Sequence, residues 1–515
     1  MSRSTGSPAR RRWAALSGIV AAACYLAITE VIALLVPSGS ALLAVGSFVI
    51  DIVPRPIKEM AIELFGFADK AVLLGSLGIA VVVGAAVAGL LELWRPPLGA
   101  ILLGLVGFST VAPVVTRAGA SALSAIGPAL GAAAAVIVLG LLVRRLRGWS
   151  TAAADGGQSG LDRRGFLRLL GVTAAASGVV ALGSRAVSAA TSSIQAARQA
   201  LSLPAPASTV DVPAGAELEV DGLSRLFTPN AEFYRIDTAL SAPRVDPETW
   251  RLRVTGKVGQ EVELSFDDLV AMGLDEYVIT LTCVSNVVGG ELVGNARWLG
   301  VPLRDVLARA VPDADADMVL SRSVDGYTAS TPLEACTDPE RDAILAVAMN
   351  GEPLPVEHGF PVRMVVPGLY GYVSATKWVE ELKVTRFDED EAYWTPRGYA
   401  ARAPIKMSSR IDTPTTERAI EAGPTVIAGM AWAQHTGIGQ VEVSIDDGPW
   451  TPTRLSKPIN SDTWVQWALD WEPEAGSHFV AVRAIDTEGN LQVEERQPIA
   501  PGGSTGWHRV LVQVR

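Results

Sequence analysis

Four long apolar stretches crowd the first 143 residues, at about 13–36, 71–91, 96–116 and 118–143. A hydrocarbon layer about 30 Å thick takes about 20 helical residues to cross. Inside it every backbone N–H and C=O needs a partner within the segment, so stretches of this kind fold as helices. The last three hold no charged side chain, and Trp13, Trp94 and Trp149 fall at or near expected ends, where amphipathic rings favour the headgroup layer. If the helices simply alternate, Arg10-Arg11-Arg12, Arg95, and Arg144-Arg145 with Arg147 share one side, expected to be the cytoplasm. Glu30 lies in the first stretch, where a charge is costly. It reads either as a protonated, hydrogen-bonded group near the outer end or as a proton- or quinone-linked one. Residues 40–66 are apolar but carry Asp51, Pro54, Arg55 and Pro56, the composition of an interfacial or re-entrant segment.

At 515 residues the chain is too long for one ordinary domain. Its charge is split: residues 1–200 carry 17 Lys and Arg against 8 Asp and Glu, net +9, while residues 201–515 carry 26 against 46, net −20. A basic apolar part followed by an acidic, Trp-rich part implies an anchor in lipid and a domain in water. The acidic half argues against nucleic acid as a partner.

In that half, Cys283 sits in the run Thr280-Leu281-Thr282-Cys283-Val284-Ser285-Asn286, the only one of three cysteines placed in a block dense in polar and glycine residues. A thiolate there suits a soft metal. Taken alone, a cysteine after a strand is more commonly a small buried hydrophobe. Three further blocks follow in order: Asn295-Ala296-Arg297-Trp298-Leu299-Gly300-Val301-Pro302-Leu303, Glu357-His358-Gly359-Phe360-Pro361-Val362-Arg363, and Ser374-Ala375-Thr376-Lys377-Trp378. The ordered set, over roughly 226–515, resembles the sulfite oxidase family of molybdopterin-dependent oxidoreductases. The resemblance implies that Cys283 ligates molybdenum and that the blocks containing Asn286, His358, Arg363, Ser374, Thr376 and Lys377 hold the pterin, with Asp325 a further contact. It also implies that Phe233, Tyr234 and Arg235 line the cofactor, and that Tyr399 approaches the metal oxo group while Arg235 meets an anionic substrate.

The residues themselves fit such a cofactor. His358 and Arg363 lie five apart in a turn-rich segment between Pro355 and Pro367. An arginine fork matches a phosphate, and a histidine donates to a pterin or its phosphate tail. Backbone amides near Gly368, Gly371 and Ser374, with Lys377, complete an anion-binding nest. On the substrate side Arg235 and Arg397 offer positive charge, but the family's Arg-Asn-His is replaced by Arg235-Ile236-Asp237. A carboxylate at Asp237 facing the pocket repels a dianion, which puts sulfite itself in question.

Oxygen-atom transfer moves two electrons, which pass through a one-electron carrier or a quinone. The chain has no Cys-x-x-Cys-His, and His435, His478 and His508 lie near its C-terminal end. The expectation is therefore no built-in haem and an external redox partner: a cytochrome, a quinone or a membrane subunit. Two enzymes fit, one oxidising sulfite or a related sulfur oxyanion and one reducing an S-oxide of the methionine sulfoxide type. A third reading is a non-catalytic, membrane-tethered binding protein whose upstream domain has lost its metal.

Arg163-Arg164-Gly165-Phe166-Leu167, followed by the weakly apolar stretch 169–184, resembles a twin-arginine export signal placed internally. An ordinary fifth span with basic flanks fits the motif as well; a pterin inserted into a folded domain before export favours the twin-arginine reading. The expected organisation is a membrane anchor of about five transmembrane helices (1–190), a Ser-, Ala- and Pro-rich tether (191–217), an α+β molybdopterin domain (218–404), and an all-β immunoglobulin-like sandwich (405–515). The protein is then multi-pass in the cytoplasmic membrane, in contact with lipid, with the catalytic domain on the extracytoplasmic side. Such sandwiches often mediate dimerisation in the family, so a homodimer is open.

Overall fold

The computed structural model describes residues 8–35, 41–54, 57, 60, 64–65, 69–116, 122–154, 159–190, 193–239 and 242–515. The chain forms two compact units, Met1–Ser193 with Thr238–Ser241, and Ile194–Asp237 with Ala242–Arg515.

The first unit is helical: α1 (Pro8–Leu35), α2 (Ala41–Ile52), α3 (Asp69–Trp94), α4 (Leu98–Ser109), α5 (Val111–Val115), α6 (Ile126–Ala154) and α7 (Ser159–Ala190). Among the described residues four segments are long and apolar enough to cross a membrane: Pro8–Ala33, Ala71–Trp94, Leu98–Val115 and Ala122–Trp149. The fifth expected span is helical in α7 but falls short of that hydropathy, because alanine, glycine, serine and five charged residues dilute its leucines. Much of the expected re-entrant stretch lies outside the described residues; α2 is a helix within its described part. α1 and α3 cross at Gly18 and Gly89, where an added Cβ would collide with the carbonyls of Ala85 and Ala14; small residues of this kind let helix backbones approach in lipid. The arginine-bearing ends of the helices meet. Arg147 donates to the Glu92 and Leu93 carbonyls, Arg11 lies 5.9 Å from the Trp94 ring centre, and Phe166 of α7 is fully buried against Trp13 and Trp149.

The second unit opens with α8 (Ser193–Ala200). The tether expected over 191–217 is fastened along the domain over residues 194–216. Ile194 is buried in a cluster with Phe233, Trp298 and Phe360. Arg198 donates to the Pro353 and Leu354 carbonyls at 3.0 and 2.9 Å and pairs with Glu352 at 2.8 Å. Ala207 N–H donates to Leu274 and Glu276 N–H to Ser208. Low patterned hydrophobicity hid this, because the attachment is mostly through backbone groups and one arginine.

Two five-stranded sheets follow. In the first, β1 (Arg251–Gly256), β2 (Val262–Ser265), β5 (Met318–Ser323), β6 (Thr328–Pro332) and β10 (Val379–Thr385) run in the order β2-β1-β10-β5-β6. In the second, β3 (Asp275–Thr282), β4 (Val293–Pro302), β7 (Ile344–Met349) and β8 (Glu352–Pro353) run in that order, with β9 (Arg363–Val365) added on β7. The amphipathic helix expected at 302–309 is α9 (Leu303–Ala310), which buries Leu303, Val306, Leu307 and Ala310.

The C-terminal part holds two four-stranded antiparallel sheets. One is β11 (Ser408–Thr413), β12 (Thr425–Trp432), β16 (Val465–Trp471) and β15 (Arg454–Leu455); the other is β14 (Thr451–Pro452), β13 (Ile438–Ile445), β17 (Gly476–Asp486) and β18 (His508–Val514). They share a core of Ile427, Val441, Trp467, Val480, Val482 and Val512. The hairpin expected at Asp447-Gly448 turns one residue earlier. Asp446 and Asp447 take φ of +52° and +55°, and Gly448 N–H closes the turn on the Ile445 carbonyl, a type I′ geometry in which aspartate tolerates the left-handed region.

These sheets do not form a separate compact unit, because they interlock with β3: Thr280 N–H donates to Asp462 O at 3.0 Å, Trp464 N–H to Thr280 Oγ1 at 2.9 Å, and Gln434 Nε2 to Thr280 O. Arg198→Ala, by removing two hydrogen bonds at about 1 kcal/mol each, is expected to speed amide exchange across residues 194–213 about tenfold or more while exchange in β12 and β16 stays unchanged.

Candidate active site

The β3–β4 pair sets the site. Its register puts Thr282 opposite Val293, leaving residues 283–292 as a loop. Cys283 N–H donates to Leu292 O at 2.9 Å, Asn286 N–H to Cys283 O at 3.0 Å, and Leu292 N–H to Asn286 Oδ1 at 2.9 Å. Asn286 thus closes the loop that carries the cysteine. Gly289 has φ +79°, and an added Cβ there would strike the His508 imidazole. The Cys283 thiol is buried, which raises its pKa, against a hydrogen bond from Ser285 N–H to Sγ at 3.4 Å and the charge of Lys377.

Three buried or nearly buried tyrosines lie within electrostatic reach of that sulfur: Tyr234, Tyr327 and Tyr370. Burial raises all three phenols, Tyr370 to about 12, and a charge on Cys283 adds to the shift. They remain O–H donors at neutral pH. Tyr327 and Tyr370 were not singled out from the sequence; the signal was there in Asp325-Gly326-Tyr327 and in the glycine-framed Gly368-Leu369-Tyr370-Gly371.

A positive block stands beside them. Gly359, at φ +112°, lets the turn fold so tightly that an added Cβ would meet Arg363 at 2.9 Å and Lys377 at 3.2 Å. His358 Nε2 lies 3.1 Å from Asn230 O, and burial with the nearby Arg363 and Lys377 charges lowers the imidazole to about 4, so it donates as a neutral ring. Phe233 stacks on Tyr234 at 5.3 Å and sets its edge against His358 and Trp298. Arg363 is 5 % exposed. Among the described residues its Nη1 and Nη2 reach the carbonyls of His358 and Ala375, at 3.2 and 3.4 Å, and its guanidinium lies 5.1 Å from the Trp298 ring centre. Its Nε has no partner among the described residues, and burial lowers the group to about 10.

Lys377 is lowered to about 8 by burial, against the pull of Asp237, whose carboxylate accepts from Lys377 Nζ at 2.8 Å and from Arg235 Nε at 2.9 Å.

The other expected residues are placed less directly. Ser374 Oγ donates to the Leu369 and Tyr370 carbonyls, and Thr376 Oγ1 pairs with Ser321 Oγ at 2.7 Å, so both hydroxyls brace the segment carrying Tyr370 and Lys377. Asp325 Oδ1 accepts from Tyr327 N–H at 3.2 Å and shapes the turn before that tyrosine. Tyr399 packs on Tyr372 and Trp394, and Arg397 covers Tyr393, which packs in turn on Tyr327.

Arg363 provides a fit test for an anionic cofactor. A buried cation is costly unless an opposite charge and hydrogen bonds meet it. Among the described residues it has neutral carbonyls and an Nε without a partner, and Tyr234 lies within electrostatic reach of both this guanidinium and the buried sulfur donor Cys283. A group carrying a phosphate and a soft metal matches both features.

Both His358 and His508 are held near pKa 4 by burial. Unfolded histidine titrates near 6.5. Between those values only the unfolded state takes up the proton, so stability falls as pH drops from about 6.5 to about 4, by at most about 3 kcal/mol per histidine. Thermal unfolding midpoints at pH 7 and pH 4.5 are expected to converge in the His358→Gln, His508→Gln double variant; an unchanged pH dependence contradicts the assignment.

A family model described as the oxidoreductase molybdopterin binding domain matches residues 239–394. Mitochondrial sulfite oxidase of Mus musculus is 33% identical over 338 residues, covering 56% of this chain and 61% of that protein. Sulfite oxidase of Gallus gallus is 30% identical over 336 residues, covering 55% and 72%. The chain thus spans about 61% of the mouse relative's length. Among solved structures, the sulfane dehydrogenase SoxCD from Paracoccus pantotrophus aligns at TM-score 0.50 and 23% identity over 57% of this chain and 84% of that one, a likeness of fold. The buried cysteine, the unmatched arginine and these relatives lead to one conclusion: the chain belongs to the sulfite oxidase family of molybdopterin-dependent, molybdenum-containing oxidoreductases.

Proposed function

We propose that this protein is a membrane-anchored molybdenum oxidoreductase that oxidises sulfite or a related sulfur oxyanion and passes the electrons to an external carrier. The observation that carries this reading is the buried Arg363, lacking a carboxylate partner among the described residues, in a group of residues that also contains the buried Cys283. In the reaction, sulfite and water give sulfate, two protons and two electrons, the electrons leaving to a one-electron carrier or a quinone. When bound, the molybdenum cofactor supplies the two-electron oxygen-atom exchange. Cys283 provides the thiolate for the metal, and the Ser285 N–H and Lys377 charge favour that anion against burial. Arg363, His358 and Lys377 hold the anionic part of the cofactor. Burial keeps the Tyr234, Tyr327 and Tyr370 phenols protonated, and the Tyr327 O–H donates to the Tyr372 carbonyl at 2.7 Å. Arg235, whose side chain is 40% exposed, meets the substrate.

A second reading, S-oxide reduction with two electrons and two protons taken up and water released, draws support from Asp237. Its carboxylate engages both Lys377 and Arg235, which lowers the positive charge available to a dianion. In the same proposal the apolar helices anchor the protein in the cytoplasmic membrane, Arg163-Arg164 directs export of the folded domain, and the acidic unit faces away from the cytoplasm. The two C-terminal sheets act as an immunoglobulin-like domain, a surface available for a homodimer.

Two assays decide between the chemistries: sulfite-dependent reduction of ferricyanide, and sulfoxide-dependent oxidation of a reduced viologen. The first is expected, and to be lost in Cys283→Ser; activity in the second alone favours the reductase. Arg363→Gln is expected to lower the pterin recovered per chain about tenfold or more, the scale of one lost charge-assisted contact to a phosphate; full pterin content in that variant contradicts the role given to Arg363.

A further inference from the structure

The turn 500–507 and strand β18 touch the Cys283 surroundings at three places. Ser504 Oγ donates to Asn286 O at 2.6 Å, inside the loop that carries Cys283. The His508 ring occupies the space beside Gly289, where a Cβ would collide with it. Gly503, at φ +93°, lies against the Tyr370 hydroxyl so closely that a Cβ would not fit. A fourth contact comes from β11: Arg410 Nη1 donates to Gly290 O at 2.9 Å.

The contacting segment is itself held firmly. Gly503 N–H donates to Ile499 O at 2.7 Å, Thr505 Oγ1 to Glu495 O at 2.7 Å, Gln492 Nε2 to Gly506 O at 2.9 Å, and Trp507 Nε1 to Gln492 O at 3.1 Å. Arg410 is oriented by Asp412 at 2.6 Å and by Ser224 Oγ at 3.0 Å. His508 Nδ1 accepts from Ile411 N–H at 3.0 Å, which fixes the ring against Gly289. Within the loop, Gly290 N–H closes a turn on Val287 O at 2.9 Å, and Asn286 O and Gly290 O flank that turn. A hydrogen bond from a rigid neighbour at each of these carbonyls removes the freedom of the loop to swing as a unit about Cys283 and Leu292.

We propose that Ser504 and Arg410, from the C-terminal sheets, are positioning residues for Cys283: they clamp the 283–292 loop so that the sulfur is presented at one place in the site. This deepens the cofactor reading given above and rests on it for its catalytic meaning, but the clamp itself is a property of the chain without metal.

The test is peptide-resolved alkylation of Cys283 by iodoacetamide in the full-length, detergent-solubilised protein made in a host that lacks the pterin. Cys336, buried in another part of the same unit, is the internal control. Ser504→Ala is expected to raise the Cys283 rate about fivefold, the scale of one lost hydrogen bond, with Cys336 unchanged; Ser504→Thr, which keeps the hydroxyl, is expected to restore the slow rate. Arg410→Lys, which keeps the charge beside Asp412 but shortens the reach to Gly290, gives an independent rise if Ser504→Ala fails to fold. An unchanged Cys283 rate in the folded variants overturns the proposal, and so does a parallel rise at Cys336, which reports general loosening. Absence of pterin from protein made in a competent host sinks the cofactor reading but leaves this comparison standing.

Discussion

The Arg363 guanidinium sits in the interior over Trp298, hydrogen-bonded to two carbonyl oxygens and leaving Nε without a partner among the described residues. A charge placed this way carries a desolvation penalty that carbonyl dipoles offset only in part. Much of the site follows from accommodating it. Gly359 allows the turn that brings His358 and Lys377 close, His358 is driven neutral, and Lys377 is balanced by Asp237. An anionic ligand completes this electrostatic arrangement, and a protein that binds one there gains stability in proportion to its occupancy.

The second structural condition is topological. Cys283 follows directly from the last ladder residue of β3, so its backbone inherits the rigidity of a paired strand. The loop after it has only its own turn bonds, and its outer side is supplied by residues more than a hundred positions later: Arg410, Ser504 and His508. The catalytic sheets and the C-terminal sheets therefore form one compact unit.

Much of this was legible in the sequence because it is local. The apolar stretches become helices, Cys283 follows a strand, and His358 and Arg363 share a turn-rich segment, since each depends on periodicity or near-neighbour turn chemistry. The parts that were not legible depend on distant pairing. The stretch 191–217 reads as a tether because backbone hydrogen bonds, Arg198 and an isolated buried Ile194 leave no hydrophobic pattern. Tyr327 and Tyr370 come within electrostatic reach of the cysteine only through the sheet topology, and Ser374 and Thr376 turn their hydroxyls to the backbone and to Ser321. Asp237, visible as a departure from the family pattern, gave no sign that it would hold two cations at once.

The Cys283 sulfur is proposed as a ligand of molybdenum, in a site built around a buried positive block. X-ray absorption at the molybdenum edge of the purified protein measures this directly, by counting sulfur neighbours of the metal in the wild type and in Cys283→Ser. One sulfur fewer is expected in the variant, with pterin content retained through Arg363, His358 and Lys377. An identical sulfur count in the two proteins would contradict it.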